Sequence, residues 1–237
     1  MNLLGQTQQK WMRTPLYVAV SQALTRLHLV ATNSQHLTKT HALGNTKTWS
    51  WSIEVERASS NPTGWAVLLG IRTAANNSNA FLIGFYQDKL RVQTYSVVYR
   101  ETTATYLPED GKFRVTVVMD TTVSSPSSDR LKVYIDDTEI TSFSITNHPS
   151  LNENFAFNSE REHKIGAQQT NGLYFDGALN DAYLTDGIAL TGSDFTSAYV
   201  GPFGTTGYHL PLSADANDIS GNDNHWVGVN VTAGDYV

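Results

Sequence analysis

Apolar and polar residues alternate strictly along several stretches of the chain. Residues 48–56, TWSWSIEVE, place two tryptophans, an isoleucine and a valine on one side and serines and glutamates on the other. A period of two residues predicts a half-buried β-strand. The same period recurs at residues 113–119 and 131–135. The pattern therefore predicts a chain built mainly from strands.

Turn residues between the apolar runs predict how these strands are connected. Asp136 and Asp137 separate a strand from TEITSFSI, so residues 130–145 are predicted to form a β-hairpin. A single helical turn is predicted near residues 191–198, with Thr191 as its cap. Ten or so short strands with polar turns indicate an all-β jelly-roll sandwich of two antiparallel sheets. The remaining predicted strands are residues 67–71, 80–86, 90–95, 175–185 and 226–231.

The first 27 residues differ from the rest of the chain. They contain Lys10, Arg13 and Arg26 but no acidic residue, and apolar residues from Leu16 to Leu27 recur at helical spacing. We interpret residues 1–27 as an attachment arm and residues 28–237 as the sandwich. A disordered tail or a first strand folded onto the core fits the segment equally well. The arm would dock through its apolar and aromatic side chains, Trp11, Met12, Leu16, Val20 and Leu24.

The composition of the chain argues against nucleic acids and membranes as binding partners. The chain has 237 residues and no cysteine, and 16% of its residues are charged, well below the roughly 25% of an average globular chain. Its net charge of −6 argues against nucleic acid as a partner and disfavours an anionic membrane surface. The arm holds +3 of that total, which leaves −9 on the sandwich. No stretch approaches the ~18 apolar residues that span a bilayer.

Four blocks of the sequence resemble one known family, in that family's order. They are LTKTHALGNTKTWSWSIEV, FRVTVVMDTT with SDRLKVYIDDTEITSF, YFDGALNDAYLTDGIALTGSDF, and GPFGTTGYHLPL with DISGNDNHW, and together they cover roughly residues 28–235. These blocks are similar to the laminin-G-like (concanavalin A-like) jelly-roll proteins of tailed bacteriophages. The chain departs from the family pattern at Phe113, at Asp136–Asp137 and at Asn180–Asp181, which puts a shared ligand site in doubt more than the fold.

The resemblance implies a non-enzymatic structural protein located in the virion. Its expected partners are capsid or tail proteins, and a homo-oligomer is expected. Decoration of the capsid and a head or tail appendage both remain open, although the short length and the lack of shaft repeats favour decoration or a small attachment. The alternative function is a carbohydrate-binding, lectin-like module for adhesion to host-surface glycans, such as a tail-fibre domain.

A calcium site is a candidate in the loop DANDISGNDN at residues 215–224, because hard cations take carboxylate and amide oxygens held on tight loops. The other interpretation is that these side chains bond their own backbone in consecutive turns, and it is the favoured one. Calcium is the cofactor that this loop suggests. The candidate ligands are Asp218, Asn222 and Asp223, with Asp181 or Asp186 from a strand end.

Carbohydrate binding needs exposed rings beside hydrogen-bonding groups. Trp49 and Trp51 alternate with polar residues and are predicted to lie in the core. Aromatic residues nearer to turns are the candidates for a sugar-binding platform, although tyrosines in strands are commonly sheet residues. These candidates are Trp65, Tyr95, Tyr99 and Tyr106.

Catalysis by a glycoside hydrolase is the third hypothesis. Laminarinase-type hydrolases share the jelly-roll fold and use the pattern E-x-D-x-x-E, to which Glu54 and Glu56 are the nearest approach. The intervening aspartate and a third acid are missing, so a solvated strand face is the favoured interpretation of this pair. The sequence therefore predicts that the protein is not an enzyme.

Overall fold

The computed structural model describes residues 25–73, 76–168 and 172–237. Within these ranges the chain is almost entirely β-structure, with short 3-10 turns between some strands. The strands are β1 (Leu27–Leu29), β2 (His36–Thr40), β3 (Thr48–Arg57), β4 (Trp65–Thr73), β5 (Asn76–Tyr86), β6 (Lys89–Thr94), β7 (Val98–Thr102), β8 (Lys112–Asp120), β9 (Leu131–Ile135), β10 (Thr138–Glu139), β11 (Phe143–Thr146), β12 (Glu162–Ile165), β13 (Gly177–Asp186), β14 (Tyr208–Leu210) and β15 (Val227–Val229).

The strands form two antiparallel sheets that pack face to face. Sheet A has the order β1-β13-β3-β8-β9-β10, and β14 also pairs with β13. Sheet B has the order β11-β7-β6-β5-β4-β12-β2-β15. One hydrophobic core contains buried side chains from both sheets. This arrangement confirms the all-β sandwich predicted from the sequence.

The alternating pattern of β3 correctly predicts which side chains enter the core. Trp49 and Trp51 are fully buried, as predicted. The Trp49 ring packs edge-on against Phe81 of sheet B, with 5.7 Å between centroids. The indole N–H of Trp51 donates to the Tyr208 hydroxyl at 3.0 Å, which satisfies a buried polar group. The other face of β3 is therefore free to carry serines and glutamates on the outside of sheet A.

The predicted hairpin at residues 130–145 is wrong in its second half. β10 pairs with β9 only at Thr138 and Glu139. From Phe143 onward the chain belongs to sheet B, where β11 pairs with β7. Alternation predicts that FSIT is a strand but does not identify its partner, since either sheet accepts the same pattern. The chain crosses between the sheets here, so that β10 is an edge strand of sheet A and β11 an edge strand of sheet B.

The helical elements of the described residues are short 3-10 turns. The predicted helical turn is present as Gly192–Phe195, and the Asp194 carboxylate accepts the Thr191 N–H at 2.7 Å. No helix in the described part of the chain has the length and apolarity needed to cross a bilayer.

The two ends of the described chain meet beside β13. The Arg26 N–H donates to the Val237 carbonyl at 2.7 Å, and the Val237 N–H donates back at 3.0 Å. Leu27 pairs with Leu179 and is fully buried. The sequence predicts Leu27 as the last residue of the arm, but it belongs to the sandwich because its side chain completes the core. The predicted arm residues Trp11, Met12, Leu16, Val20 and Leu24 lie outside the described residues.

Candidate functional site

The outer face of sheet A carries charged residues on neighbouring strands. Glu54 of β3 lies directly opposite Arg114 of β8 in the strand register. Their chain neighbours Ile53 and Val115 are fully buried, so the two charged side chains lie on the outside of the sheet. The Lys112 ammonium lies 3.1 Å from a Glu54 carboxylate oxygen. Strand alternation thus places opposite charges next to each other on this face.

A β-bulge in β13 brings a further charged residue to the same face. The register with β3 shifts between Asn180 and Tyr183. Within the bulge, Asp181 has a φ of 43°, a left-handed backbone conformation that is uncommon for residues other than glycine. The Asp181 carbonyl accepts a hydrogen bond from the Arg114 guanidinium at 2.9 Å. Bulges often aim a side chain at a functional site, and this one directs attention to Asp181.

Two aromatic rings stack beside the bulge. The His209 ring lies 4.2 Å from the Tyr183 ring, with 20° between their planes. Nε2 of His209 lies 3.0 Å from a carboxylate oxygen of Asp181. Burial, reinforced by the charge of Asp181, raises the pKa of the Tyr183 hydroxyl to about 12. The hydroxyl therefore stays protonated and neutral at physiological pH.

Glu54, Arg114, Asp181 and Tyr183 line a pocket of about 240 Å³. Its wall combines carboxylates, one guanidinium and the rings of Tyr183 and Phe195. The pocket is smaller than the roughly 300–1,000 Å³ of drug-sized sites, so it suits a ligand of one ring. The carboxylates can accept hydrogen bonds from hydroxyl groups, whereas the Tyr183 and Phe195 rings are 1% and 2% exposed and serve as buried wall. The lining residues are Glu54, Arg114, Asp136, Asp181, Tyr183, Phe195, Thr196 and Ala198.

The second glutamate of the hydrolase hypothesis is not part of this pocket. Glu56 pairs with Arg26, next to the paired chain ends. Glu54 lines the pocket and contacts Lys112. The two glutamates therefore have different partners although they lie two residues apart on one strand.

The candidate calcium ligand Asp218 is buried, and protein donors occupy both of its carboxylate oxygens. One oxygen accepts the backbone N–H groups of His209 and Ser220, each at 2.9 Å. The other accepts the Ser220 hydroxyl at 2.8 Å and the Asn224 N–H at 2.9 Å. The Asp218 carboxylate therefore stabilises the loop through hydrogen bonds to backbone N–H groups. This agrees with the interpretation that the side chains of this loop bond their own backbone.

The other candidate calcium ligands do not converge on Asp218. The Asn222 amide donates to the carbonyls of Gly204 and Gly207, and the Asp223 side chain is 92% exposed. Asp181 lies in the bulge beside His209. Asp186 accepts four N–H groups from three other segments. In the described ranges, no three His, Asp or Glu side chains form a group that could hold a metal ion.

The predicted sugar-binding aromatics do not form one platform. Tyr99 is only 4% exposed, and its hydroxyl donates to the Glu153 carboxylate at 2.5 Å. This candidate is therefore not available to a sugar, because β7 turns its side chain toward Phe155 in the core. Tyr106 is half-buried and packs against Phe113.

The remaining two aromatics are more accessible but lie apart. Tyr95 is 60% exposed in the turn after β6. Trp65 is half-buried on β4, beside Tyr86 and within 5.6 Å of the Arg91 guanidinium carbon. Neither residue lines the pocket on sheet A.

Most residues that line or support the pocket, among them Arg114, Tyr183 and His209, are not among the site residues predicted from the sequence. The alternation of apolar and polar residues in β8 places Arg114 on the outer face, and this alternation can be seen in the sequence. Tyr183 and His209 carry no such signal, because a bulge and a three-residue strand bring them together. The site is therefore recognisable only once the strands are paired.

Comparison with known proteins establishes the fold. No family model matches the chain, and no curated protein matches its sequence. Among solved structures, a heptameric SAP-like pentraxin from Limulus polyphemus is 14% identical, with a TM-score of 0.53 over 87% of this chain and 91% of that one. These values, together with the two sheets, confirm the predicted concanavalin A-like (laminin-G-like) jelly roll.

Two further structures share this fold. A Bacteroides ovatus protein described as carbohydrate-binding is 11% identical, with a TM-score of 0.58 over 88% of this chain and 58% of that one. Domain 4 of an extracellular GH43 arabinanase from Geobacillus stearothermophilus, in complex with arabinotriose, is 17% identical, with a TM-score of 0.50 over 72% and 74%. At identities this low, structural similarity establishes the fold of the chain but does not identify its ligand.

Proposed function

We propose that the protein is a non-enzymatic carbohydrate-binding module and that the pocket on the outer face of sheet A is its glycan site. The observation that carries this proposal is a group of three carboxylates, Glu54, Asp136 and Asp181, that line one pocket together with the Arg114 guanidinium. A sugar presents hydroxyl donors around its ring, and carboxylates accept hydrogen bonds from such donors.

Rigidity of the pocket supports the proposal. Asp181 is fixed by His209 through its side chain and by Arg114 through its carbonyl. Tyr183 is held between the His209 ring and the Arg114 guanidinium, whose carbon lies 5.4 Å from the ring centroid. A ligand that enters a preformed site loses less free energy to ordering of side chains. The description of the Bacteroides protein and the arabinotriose complex also favour a glycan ligand.

A glycan array followed by calorimetry tests the proposal. We expect the array to identify a glycan and Asp181→Asn to weaken its binding at least tenfold, because an acceptor for hydroxyl groups becomes partly a donor. Glu54→Gln should have a similar effect. Asp137→Asn is the matched control, because Asp137 is exposed and lies outside the pocket. An array without any binder, or unchanged affinity in both pocket variants, contradicts the proposal.

The same glycan provides the test for catalysis. We expect no release of reducing ends during prolonged incubation, because Glu54 and Glu56 have separate partners. Hydrolysis that disappears in Glu54→Gln and Glu56→Gln would instead establish an enzyme.

Calcium dependence is a separate prediction for this function. We expect glycan affinity and thermal stability to be unchanged by EDTA, because protein donors already occupy both oxygens of Asp218. Calorimetry in EDTA and in millimolar calcium measures this. A calcium-induced rise in melting temperature that is lost in Asp218→Asn would show that a calcium site exists.

The virion is the second candidate setting, and the four sequence blocks that resemble tailed-phage proteins favour it. In this role the basic arm attaches copies of the chain to capsid or tail proteins. The copy number per purified particle, measured by quantitative mass spectrometry, is the test. Hundreds of copies indicate capsid decoration, a few dozen or fewer indicate an appendage, and no copies exclude the role.

A further inference from the structure

A second pocket opens where the chain crosses from sheet A to sheet B. Its volume is about 230 Å³, and it shares no lining residue with the pocket on sheet A. Leu131 is buried at its base, while Ile140 and Phe143 are half-buried beside it. Hydroxyl groups and charged side chains complete the wall. The lining residues are Arg100, Ser128, Leu131, Lys132, Glu139, Ile140, Thr141, Phe143, Thr146 and His148.

Arg100 contributes a buried positive charge to this pocket. The residue is 3% exposed, and its guanidinium donates to the carbonyls of Tyr99, Asn147 and Leu131. No carboxylate of the described residues lies within 4.0 Å of it. Carbonyl dipoles therefore solvate this cation without neutralising it.

Arg130, the residue before Leu131, is a second buried cation that is surrounded by carbonyl groups. It is 9% exposed, and its three nitrogens donate to the carbonyls of Val123, Ser124 and Pro149 at 2.7–2.9 Å. Again, no carboxylate in the described ranges lies within 4.0 Å. Two buried cations near one pocket produce a positive potential that water screens only weakly.

The remaining charges at the pocket, one ammonium and two carboxylates, sum to −1 and leave a net charge of +1 once Arg100 and Arg130 are included. The Lys132 ammonium lies 3.6 Å from a carboxylate oxygen of Glu139 and 3.7 Å from one of Asp129. All three side chains are partly exposed, so their interactions are weak. The two buried arginines therefore determine the sign of the potential.

His148 contributes a hydrogen-bond donor at the rim. Its Nδ1 lies 3.3 Å from an Arg100 nitrogen, and a guanidinium can only donate, so Nδ1 is the acceptor. Burial and the charges of Arg100 and Arg130 lower the pKa of His148. The neutral ring then carries its proton on Nε2, which is free of the Arg100 contact. Ser128, Thr141 and Thr146 supply hydroxyl donors to the same space.

We propose that this pocket binds an organic carboxylate attached to a single ring. The carboxylate is attracted by the two buried arginines and accepts hydrogen bonds from the rim, and the ring packs on Leu131, Ile140 and Phe143. Such a group occurs in free organic acids and in the acidic units of polysaccharides. The site is independent of the glycan pocket on sheet A.

A titration monitored by amide NMR on the full chain tests this site. The probes are benzoate and glucuronate, each paired with an uncharged match, benzyl alcohol or glucose. We expect at least one acid to shift the amides of Ser128, Thr141 and Thr146, with at least tenfold tighter binding than its uncharged match. Tighter binding of glucuronate indicates an acidic glycan unit, and tighter binding of benzoate indicates a free organic acid. Absence of binding by both acids overturns the proposal.

Surface variants test whether the acid binds in this pocket. Thr146→Glu places a competing carboxylate at the rim, and we expect at least a tenfold loss of affinity. Thr63→Glu makes the same charge change at an exposed residue outside the lining and should leave affinity unchanged. Asp181→Asn should also leave it unchanged, which distinguishes this site from the glycan pocket. Equal affinity for an acid and its uncharged match, or unchanged affinity in Thr146→Glu, overturns the proposal.

Discussion

At the scale of single residues, the core contains two histidines that are kept neutral. His41 is 3% exposed, and neither of its ring nitrogens has a hydrogen-bond partner among the described residues. Its ring lies 4.4 Å from that of His163 and 5.5 Å from that of Trp226. Burial lowers the pKa of His41 to about 2 and that of His163 to about 4. Each histidine would therefore gain a proton on unfolding in mild acid.

This difference predicts that acid destabilises the protein. Above the unfolded pKa of about 6.5 both states are neutral, and below it only the unfolded state binds protons. Each histidine should then cost up to about 1.4 kcal/mol of stability per pH unit until its folded pKa is reached. Urea unfolding at pH 7.5 and pH 5.0 measures the change.

The variant His41→Leu should reduce this pH dependence, because it removes the histidine whose pKa is lowered most by burial. The control His28→Gln changes a histidine on β1 that is not fully buried and should retain the whole effect. Equal pH dependence of His41→Leu and the parent chain would contradict the assignment.

At the scale of elements, a buried ion pair connects the two sheets. Arg57 ends β3 in sheet A, and Asp88 lies in the turn between β5 and β6 of sheet B. Their side chains meet at 2.8 Å with exposures of 0% and 7%. The same Asp88 oxygen accepts the Asn61 N–H at 2.6 Å. One carboxylate thus fixes a strand end, a turn and a loop.

Removal of this carboxylate should be costly. We expect Asp88→Asn to lower the free energy of unfolding by about 3–5 kcal/mol, because Arg57 is left as an uncompensated buried cation. Asparagine also tolerates the φ of 63° at this position, so the backbone contributes little to the loss. The control Asp129→Asn removes a surface partner of Lys132 and should cost less than about 1 kcal/mol. Urea unfolding of both variants distinguishes these values.

The elements differ in how well the sequence predicts them. β3 is predicted because one face is apolar and the other polar without interruption, and β8 because its core face is apolar at every second residue from Phe113 to Met119. β7 is missed because Arg100 and Glu101 are both buried and interrupt the alternation. The outer position of Glu54 follows from the same pattern as β3. The position of Asp181 does not, since a bulge depends on pairing between strands that are distant in sequence.

At the scale of the whole molecule, the sandwich begins before the predicted boundary. Leu27 and Leu29 are both buried in β1. We expect deletion of residues 1–24 to leave the melting temperature and glycan affinity unchanged and, under the virion proposal, to abolish attachment to particles. Deletion of residues 1–29 should instead lower the melting temperature, because it removes β1 from sheet A. Co-sedimentation of the shorter deletion at full occupancy would show that the arm is not the anchor.

The backbone pairing of residues 26 and 237 places both ends of the sandwich at one point on its surface. Adjacent ends allow a domain to be inserted into a surface loop of another protein with little distortion of either partner. They also allow circular permutation, in which a short linker joins the old ends and new ends open in an exposed loop. Sequence added at either end of the sandwich therefore emerges from the same place, and the domain can be carried as a side branch on a larger chain.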